Sequence, residues 1–230
     1  MRRNREIWNH YRNQGKNVIV LEVGTLARSI TWRVGINGIN REATFGPSNN
    51  DSARRKKFKL KYNNNRTNNN APILICTQSE QSRQWRDMPP LEIWVSNVIQ
   101  TIRTQTDRHI IVRPHPRYPM NELPFTNVSF QYAKHVKNDK WDLDTKNVYA
   151  VVNYSSGPGI EAAINGVPVF VGEESLAHDI GNPIYGDYLK PHQPDYETKN
   201  QWLNDLTYTE WDVEEISKGI PLKRLEPYLQ

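Results

Sequence analysis

At 230 residues the chain suits one large domain or two small lobes, and its 37% apolar residues, with seven Trp and eleven Tyr, can fill a core. No apolar run approaches the ~20 residues of a membrane span, and the basic start MRRNREIW lacks the apolar stretch of a secretory signal. The single Cys76 excludes an intrachain disulfide and a Cys-rich zinc site, so a cytoplasmic compartment is expected.

The net charge of +5 is unevenly spread. Residues 1–71 hold 15 Lys/Arg against 4 Asp/Glu, and residues 173–230 hold 5 against 12. The asymmetry points to a polyanionic partner for the first part; the plainer alternative is that basic side chains only solubilise a loop.

In chain order, residues 5–14 suit a short helix with Ile7, Trp8 and Tyr11 on one face. Residues 17–23 read as a strand, with Glu22 near its end and Gly24 after it. In the first strand of an α/β lobe, a carboxylate there faces a ligand cleft. Glu22 is therefore a candidate base for an acceptor hydroxyl. The competing reading is a structural carboxylate that bonds the Gly24 turn or pairs with Arg28. Residues 31–34 suit a second strand and residues 35–40 a turn, with Gly38 expected at positive φ. Arg28, Arg33 and Arg41 cluster nearby; Arg28, Arg33 and Asn37 are candidate acceptor contacts.

Arg54, Arg55, Lys56 and Lys57 lead into residues 58–62, which alternate apolar and basic and suggest a basic edge strand. Arg54, Arg55, Lys57 and Lys59 are candidate DNA contacts, because cations meet phosphates while the rings of Phe58 and Tyr62 can stack on bases. Residues 63–70, NNNRTNNN, read as a linker. The expected division is an acceptor-side lobe at 1–71 and a second lobe at 72–230 that carries closing helices.

In the second lobe, residues 72–77 form a clear strand and residues 78–86 a polar loop. Pro90 suits the first position of a helix, and Leu91, Trp94, Val95, Val98 and Ile102 give that helix one apolar face. Residues 109–112 are a strand ending in Arg113, Pro114, His115, Pro116 and Arg117. Residues 128–132 are a short strand and residues 134–146 a charged loop or short helix. Residues 148–171, VYAVVNYSSGPGIEAAINGVPVFV, read as strand, turn, helix, turn, strand. Gly166 suits the left-handed helix stop. The turn holding Ser155, Ser156, Gly157 and Gly159 falls at the carboxyl edge of a parallel sheet, where hydroxyls and backbone N–H groups suit a phosphate. Glu161 can reach a ribose hydroxyl. The alternative is an ordinary crossover whose turn only caps a helix. Residues 172–175 and 178–183 are further turns, and 196–206 and 210–218 read as closing helices.

An HP dipeptide after a strand, then S-S-x-x-G-x-E-A and G-x-P-V, resembles the donor-binding half of GT-B glycosyltransferases. It is most similar to bacterial capsule sialyltransferases and Kdo transferases, over about residues 72–182. The resemblance implies a compact GT-B-like α/β fold of two Rossmann-like lobes, the N-terminal one reduced. It places the donor's phosphate on His115, Ser155 and Ser156 and its ribose on Glu161, and it makes Thr77 and Gln78 plausible donor contacts. Sugar transfer without a metal needs cations, hydroxyls and helix N-termini at the leaving phosphate, which Arg113, His115 and Arg117 would join. The expected co-substrate is a nucleotide sugar, UDP- or CMP-linked, with no metal and no other cofactor; the one D-x-D, Asp142 to Asp144, reads as solvated. Residues 18–40, with Glu22, Gly24, Arg28, Trp32, Gly35, Asn37, Gly38 and Asn40, are similar to a segment of small phage proteins, which suggests a viral source. Three functions compete: glycosylation of a hydroxymethylated pyrimidine in phage DNA, extension of a surface saccharide, and a non-catalytic nucleic-acid-binding module.

Overall fold

The computed structural model describes residues 2–61, 63–64, 68–134 and 142–229. Its strands are β1 (Ile19–Val23), β2 (Thr31–Ile36), β3 (Ile73–Cys76), β4 (Ile110–Arg113), β5 (Val128–Phe130), β6 (Ala150–Asn153), β7 (Val169–Val171), β8 (Asn182–Pro183) and β9 (Glu210–Asp212). Its helices are α1 (Arg2–Asn13), α2 (Ala53–Lys57), α3 (Leu91–Arg103), α4 (Gly157–Ile164), α5 (Tyr196–Thr207), α6 (Val213–Ser217) and α7 (Ile220–Leu225). Among the described residues no helix is long and apolar enough to cross a membrane. The chain forms two compact units, Met1–Leu60 with Asn204–Gln230, and Lys61–Leu203.

The larger unit is built on a six-stranded parallel sheet in the order β5-β4-β3-β6-β7-β8. Counted from β3 as the first strand, this is the 3-2-1-4-5-6 order of a doubly wound dinucleotide-type fold. Its strands are short apolar runs, as expected where both faces are covered. Ile73, Ile75, Ile110, Val112, Ala150 and Val152 pack with Trp94, Val95, Val98, Ile99 and Ile102 of α3. Leu74 and Val151, which alternate with them, are buried as well. Pro90 lies just before α3, and the Glu80 carboxylate accepts the N–H of Leu91, so a loop side chain serves as the missing cap.

The smaller unit has a three-stranded antiparallel sheet, β1-β2-β9. The α/β reading holds for the chain through its parallel sheet, but this lobe is not itself Rossmann-like. Its third strand is β9, so the closing segment belongs with the first lobe and not with the second. Residues 210–212, expected as the start of a helix, are strand because Glu210 and Trp211 are both buried. The helix begins only after Asp212, which caps it reciprocally with Glu215. The core holds Val34, Ile36, Trp211 and Leu225.

Ala53–Lys57 form helix α2, and residues 58–61, expected to begin an edge strand, are turn and irregular chain. The Arg54 guanidinium lies 3.8 Å from the Trp211 ring centroid, donates to the Glu215 carboxylate at 2.6 and 3.1 Å, and donates to the carbonyls of Thr207 and Glu210. Lys57 pairs with Asp212 and Glu215 at 2.7 and 2.8 Å. Residues 62 and 65–67 of the basic segment and expected linker, and 135–141 of the charged loop, lie outside the described residues. The described neighbours Asn63 and Asn69 hydrogen-bond to Ile164 and Arg108.

Candidate functional site

The Cα register aligns Cys76 with Arg113 on one side and with Asn153 on the other. Three loops therefore leave the carboxyl edge side by side. The sheet order reverses between β3 and β6, and this switch point is where open α/β sheets take ligands. The Thr77 hydroxyl accepts the His115 N–H at 2.9 Å. Gln78 Oε1 accepts both the N–H and the hydroxyl of Ser155, at 3.1 and 3.2 Å, while its amide nitrogen donates to Ser82 Oγ. Asn153 Nδ2 donates to the Cys76 carbonyl at 3.0 Å and to Ser156 Oγ at 2.8 Å. Thr77, Gln78, His115, Ser155 and Ser156 thus come together.

His115 Nδ1 accepts the Arg117 N–H at 3.2 Å. That bond selects the neutral tautomer with the proton on Nε2, so the ring presents a donor there. Ser156 precedes α4 without giving it a side-chain cap, and the first turn holds no acidic residue. An uncapped helix start of this kind favours an anion. Gly159 is fixed by packing: a Cβ there would stand 3.1 Å from Val171 Cγ1 and 3.2 Å from Asn153 Oδ1. Gly157 opens the helix, so Gly157 and Gly159, expected in the turn before it, form its first turn. Gly166 has φ +78°, the expected left-handed stop.

Other expected residues sit differently. Arg113 is buried and paired with Asp142, whose carboxylate lies 2.6 Å away. The Lys134 N–H and the Arg113 guanidinium together hold the Asp142 carboxyl below its usual range. Asp142 and Asp144 are both exposed, as expected, but each is engaged: Asp142 by Arg113 and the Lys134 N–H, and Asp144 by the N–H groups of Lys146 and Asn147. Arg117 is exposed. Glu161 is the fifth residue of α4, exposed, and accepts the Thr145 hydroxyl at 3.3 Å. Burial at the end of β3 pushes the Cys76 thiol up to about 12. Among the described residues no three His, Cys, Asp or Glu side chains gather where they could hold a metal ion.

In the smaller unit, Glu22 is exposed on β1 and accepts the Val23 N–H. The carboxylate that holds the Gly24 turn is Glu210, fully buried, which accepts the N–H groups of Thr25 and Leu26 and the Thr31 hydroxyl. A Cβ on Gly24 would fall 2.3 Å from Glu210 Oε2, which explains the glycine. Arg33, a candidate acceptor contact, is buried against Thr25, Ile39, Asn40 and Glu210. Asn37 takes the positive φ expected of Gly38, at 64°, and bonds Asn17 and Val18. Arg28 is exposed in the β1–β2 connection, and Arg55 is partly buried in α2. Lys59 is exposed with φ 53°. His178 and Asp179 form a surface 3-10 turn, as expected.

No protein-family model matches the chain, and no curated protein does. Its fold matches solved structures. A β-Kdo 2,7-transferase, KpsC of Thermosulfurimonas dismutans, aligns over 96% of this chain and 83% of its own, with TM-score 0.52 and 14% identity. A β-Kdo 2,4-transferase, also KpsC of that organism, aligns over 94% and 83%, with TM-score 0.49 and 10% identity. The first likeness shows that the chain shares the α/β fold of that structure.

Asn153 and Ser82 were not anticipated. A polar residue closing the otherwise apolar run VYAVVN is the signal for Asn153, because a buried strand interior has no use for an amide. Ser82 carries no such signal.

Proposed function

We propose that the chain is a glycosyltransferase that moves a sugar from a UDP- or CMP-linked donor to a hydroxyl acceptor. The observation that carries this reading is the convergence of Thr77, His115, Ser156 and the start of α4 at the switch point of a 3-2-1-4-5-6 sheet. In the proposed reaction the bond from the sugar's anomeric carbon to the donor phosphate breaks, and its electron pair leaves with the phosphate. The acceptor oxygen bonds that carbon and gives its proton to a base. The growing phosphate charge meets the His115 Nε2 proton, a serine hydroxyl and the N–H groups opening α4. Glu161 contacts the ribose in this reading, and no metal is required. Glu22 is the candidate base, because its carboxylate is exposed while that of Glu210 is spent inside the protein. His115→Ala should weaken CMP or UDP binding by about 1–3 kcal/mol, as for a lost charge-assisted hydrogen bond. Glu22→Gln should abolish transfer and leave nucleotide binding intact. Unchanged affinity in His115→Ala by calorimetry would sink the donor site.

Two acceptors have separate support. A hydroxymethylated pyrimidine in phage DNA draws on the basic excess of the smaller unit, 16 Lys/Arg against 10 Asp/Glu. The base would have to be flipped out of the duplex. A saccharide acceptor draws on the similarity to a Kdo transferase. Arg33, Arg54 and Lys57 have partners within their own unit, so the test of a DNA surface falls on the exposed Lys56 and Lys59. Lys56→Gln with Lys59→Gln should flatten the slope of log affinity against log salt by about 0.9 for each phosphate that is no longer neutralised. An unchanged slope and affinity would favour the saccharide. Mass spectrometry of hydroxymethylated DNA after incubation with nucleotide sugars tests the transfer itself.

A further inference from the structure

The two serines at the start of α4 have opposite hydrogen-bond polarity. The Cys76 main-chain carbonyl can only accept, so the Asn153 amide must face it with its nitrogen. The second N–H of that nitrogen then points at Ser156 Oγ, 2.8 Å away. Ser156 accepts there, so its own proton is directed elsewhere; among the described residues no acceptor takes it, and it gives no cap to α4. Ser155 is the reverse. Its N–H can only donate, so the Gln78 atom it meets is Oε1, and the Ser155 hydroxyl 3.2 Å from that oxygen donates to it as well. Ser155 is 4% exposed and its proton is spent inside the protein. Asn153 is itself fully buried, and its Oδ1 has no partner among the described residues. An amide kept at that cost (a buried acceptor left unmade) implies a use for its nitrogen.

We infer that Ser156 alone donates its hydroxyl proton to the donor's phosphate, that Asn153 is the positioning residue which aims it, and that Ser155 is an internal strut latching the β6 loop to Gln78. The inference rests on the nucleotide-sugar reading and divides the labour within that site.

The test is calorimetric titration of the full chain with CMP and with UDP. Ser156→Ala should lose about tenfold in affinity, the loss of one hydrogen bond to a charged group, and Ser156→Thr should restore it. Ser155→Ala should bind within about twofold of wild type and melt at a lower temperature. Asn153→Ala should bind about as weakly as Ser156→Ala, and the double variant no more weakly than either, because the two act through one hydroxyl. Equal losses in both serine variants would overturn the division of roles and leave the nucleotide reading standing. Additive losses in the double variant would reduce Asn153 to a structural residue. Should Asn153→Ala not fold, the two serine variants and Ser156→Thr still decide which hydroxyl is used. Wild-type protein that binds neither nucleotide would overturn the nucleotide reading and this assignment together.

Discussion

The two units are held by different forces. The larger one buries continuous apolar strands under α3 and α4, with Ile73, Ile75, Ile110 and Val152 shut away from water. The buried polar residues of its strands sit at strand ends: Arg113 of β4, Asn153 of β6 and Asn182 of β8. The smaller one has a short apolar core and leans on polar anchors: Glu210 under the β1–β2 connection, and Arg54 between Trp211 and Glu215. The difference matters for reading function. In the larger unit Asn153, a polar residue closing an apolar strand, points to a site, because the apolar packing around it has no need of an amide. In the smaller unit a cation cannot be read so, because some of its cations are the scaffold.

Substitutions can break this contrast. The largest effect is expected at Trp94, fully buried in α3 against the parallel sheet: Trp94→Ala should cost about 3–5 kcal/mol in urea unfolding. In the smaller unit a polar change should come close to that. Glu210→Ala strands the buried Arg33 and two N–H groups, and about 3 kcal/mol is expected, as for a broken buried pair. Arg54→Ala removes the Trp211 stack and the Glu215 pair together and should cost about 2 kcal/mol. If Arg54→Ala is neutral, the cation is not scaffold and the DNA reading regains it.

Acid should discriminate further. The hydrogen bond from Lys57 holds the Asp212 carboxyl below its usual range; burial raises Glu215, but bonds from Arg54 and Lys57 outweigh this and lower it. A carboxyl depressed in the folded state adds stability above its unfolded value, about 4, and that stability fades as pH falls through the folded value. Hydrogen exchange should therefore show α6 and β9 opening as pH drops from 5 to 3, and Asp212→Asn should lessen that dependence. The smallest effect is a gain. Lys59 holds a left-handed backbone that glycine adopts freely, so Lys59→Gly should stabilise by about 0.5–1 kcal/mol. A loss would mean the Lys59 side chain makes a contact of its own.

The sequence made the larger unit readable because period and composition act locally there. Residues 72–77, 109–112, 128–132 and 148–171 each announce a strand or a strand–helix–strand unit without help from elsewhere. The donor loops followed, since register places everything after Cys76, Arg113 and Asn153 on one edge. What stayed hidden were partnerships at long range. Arg54 meets Glu215 and Arg33 meets Glu210 across more than 150 residues, so a run of cations looked like a surface. β9 was missed for the same reason: three residues make a strand only because β2 stands ready to pair with them. Between Ser155 and Ser156 the sequence shows two equal hydroxyls; only the surrounding amides of Gln78 and Asn153 make them different.

The placing of β9 has a consequence for how the chain comes to be folded at all. Synthesis delivers residues 1–60 first, yet their sheet lacks its third strand, its buried carboxylate and the ring beneath Arg54 until residues 204–230 emerge. The larger unit, whose strands all lie between 73 and 183, has everything it needs before then. The part made first is thus the part completed last, and its closure carries the entropy of a loop spanning most of the chain. Until that moment the basic segment on the nascent chain has yet to meet Trp211 and Glu215, and its solubility there rests on the same charges that the finished unit later draws inward.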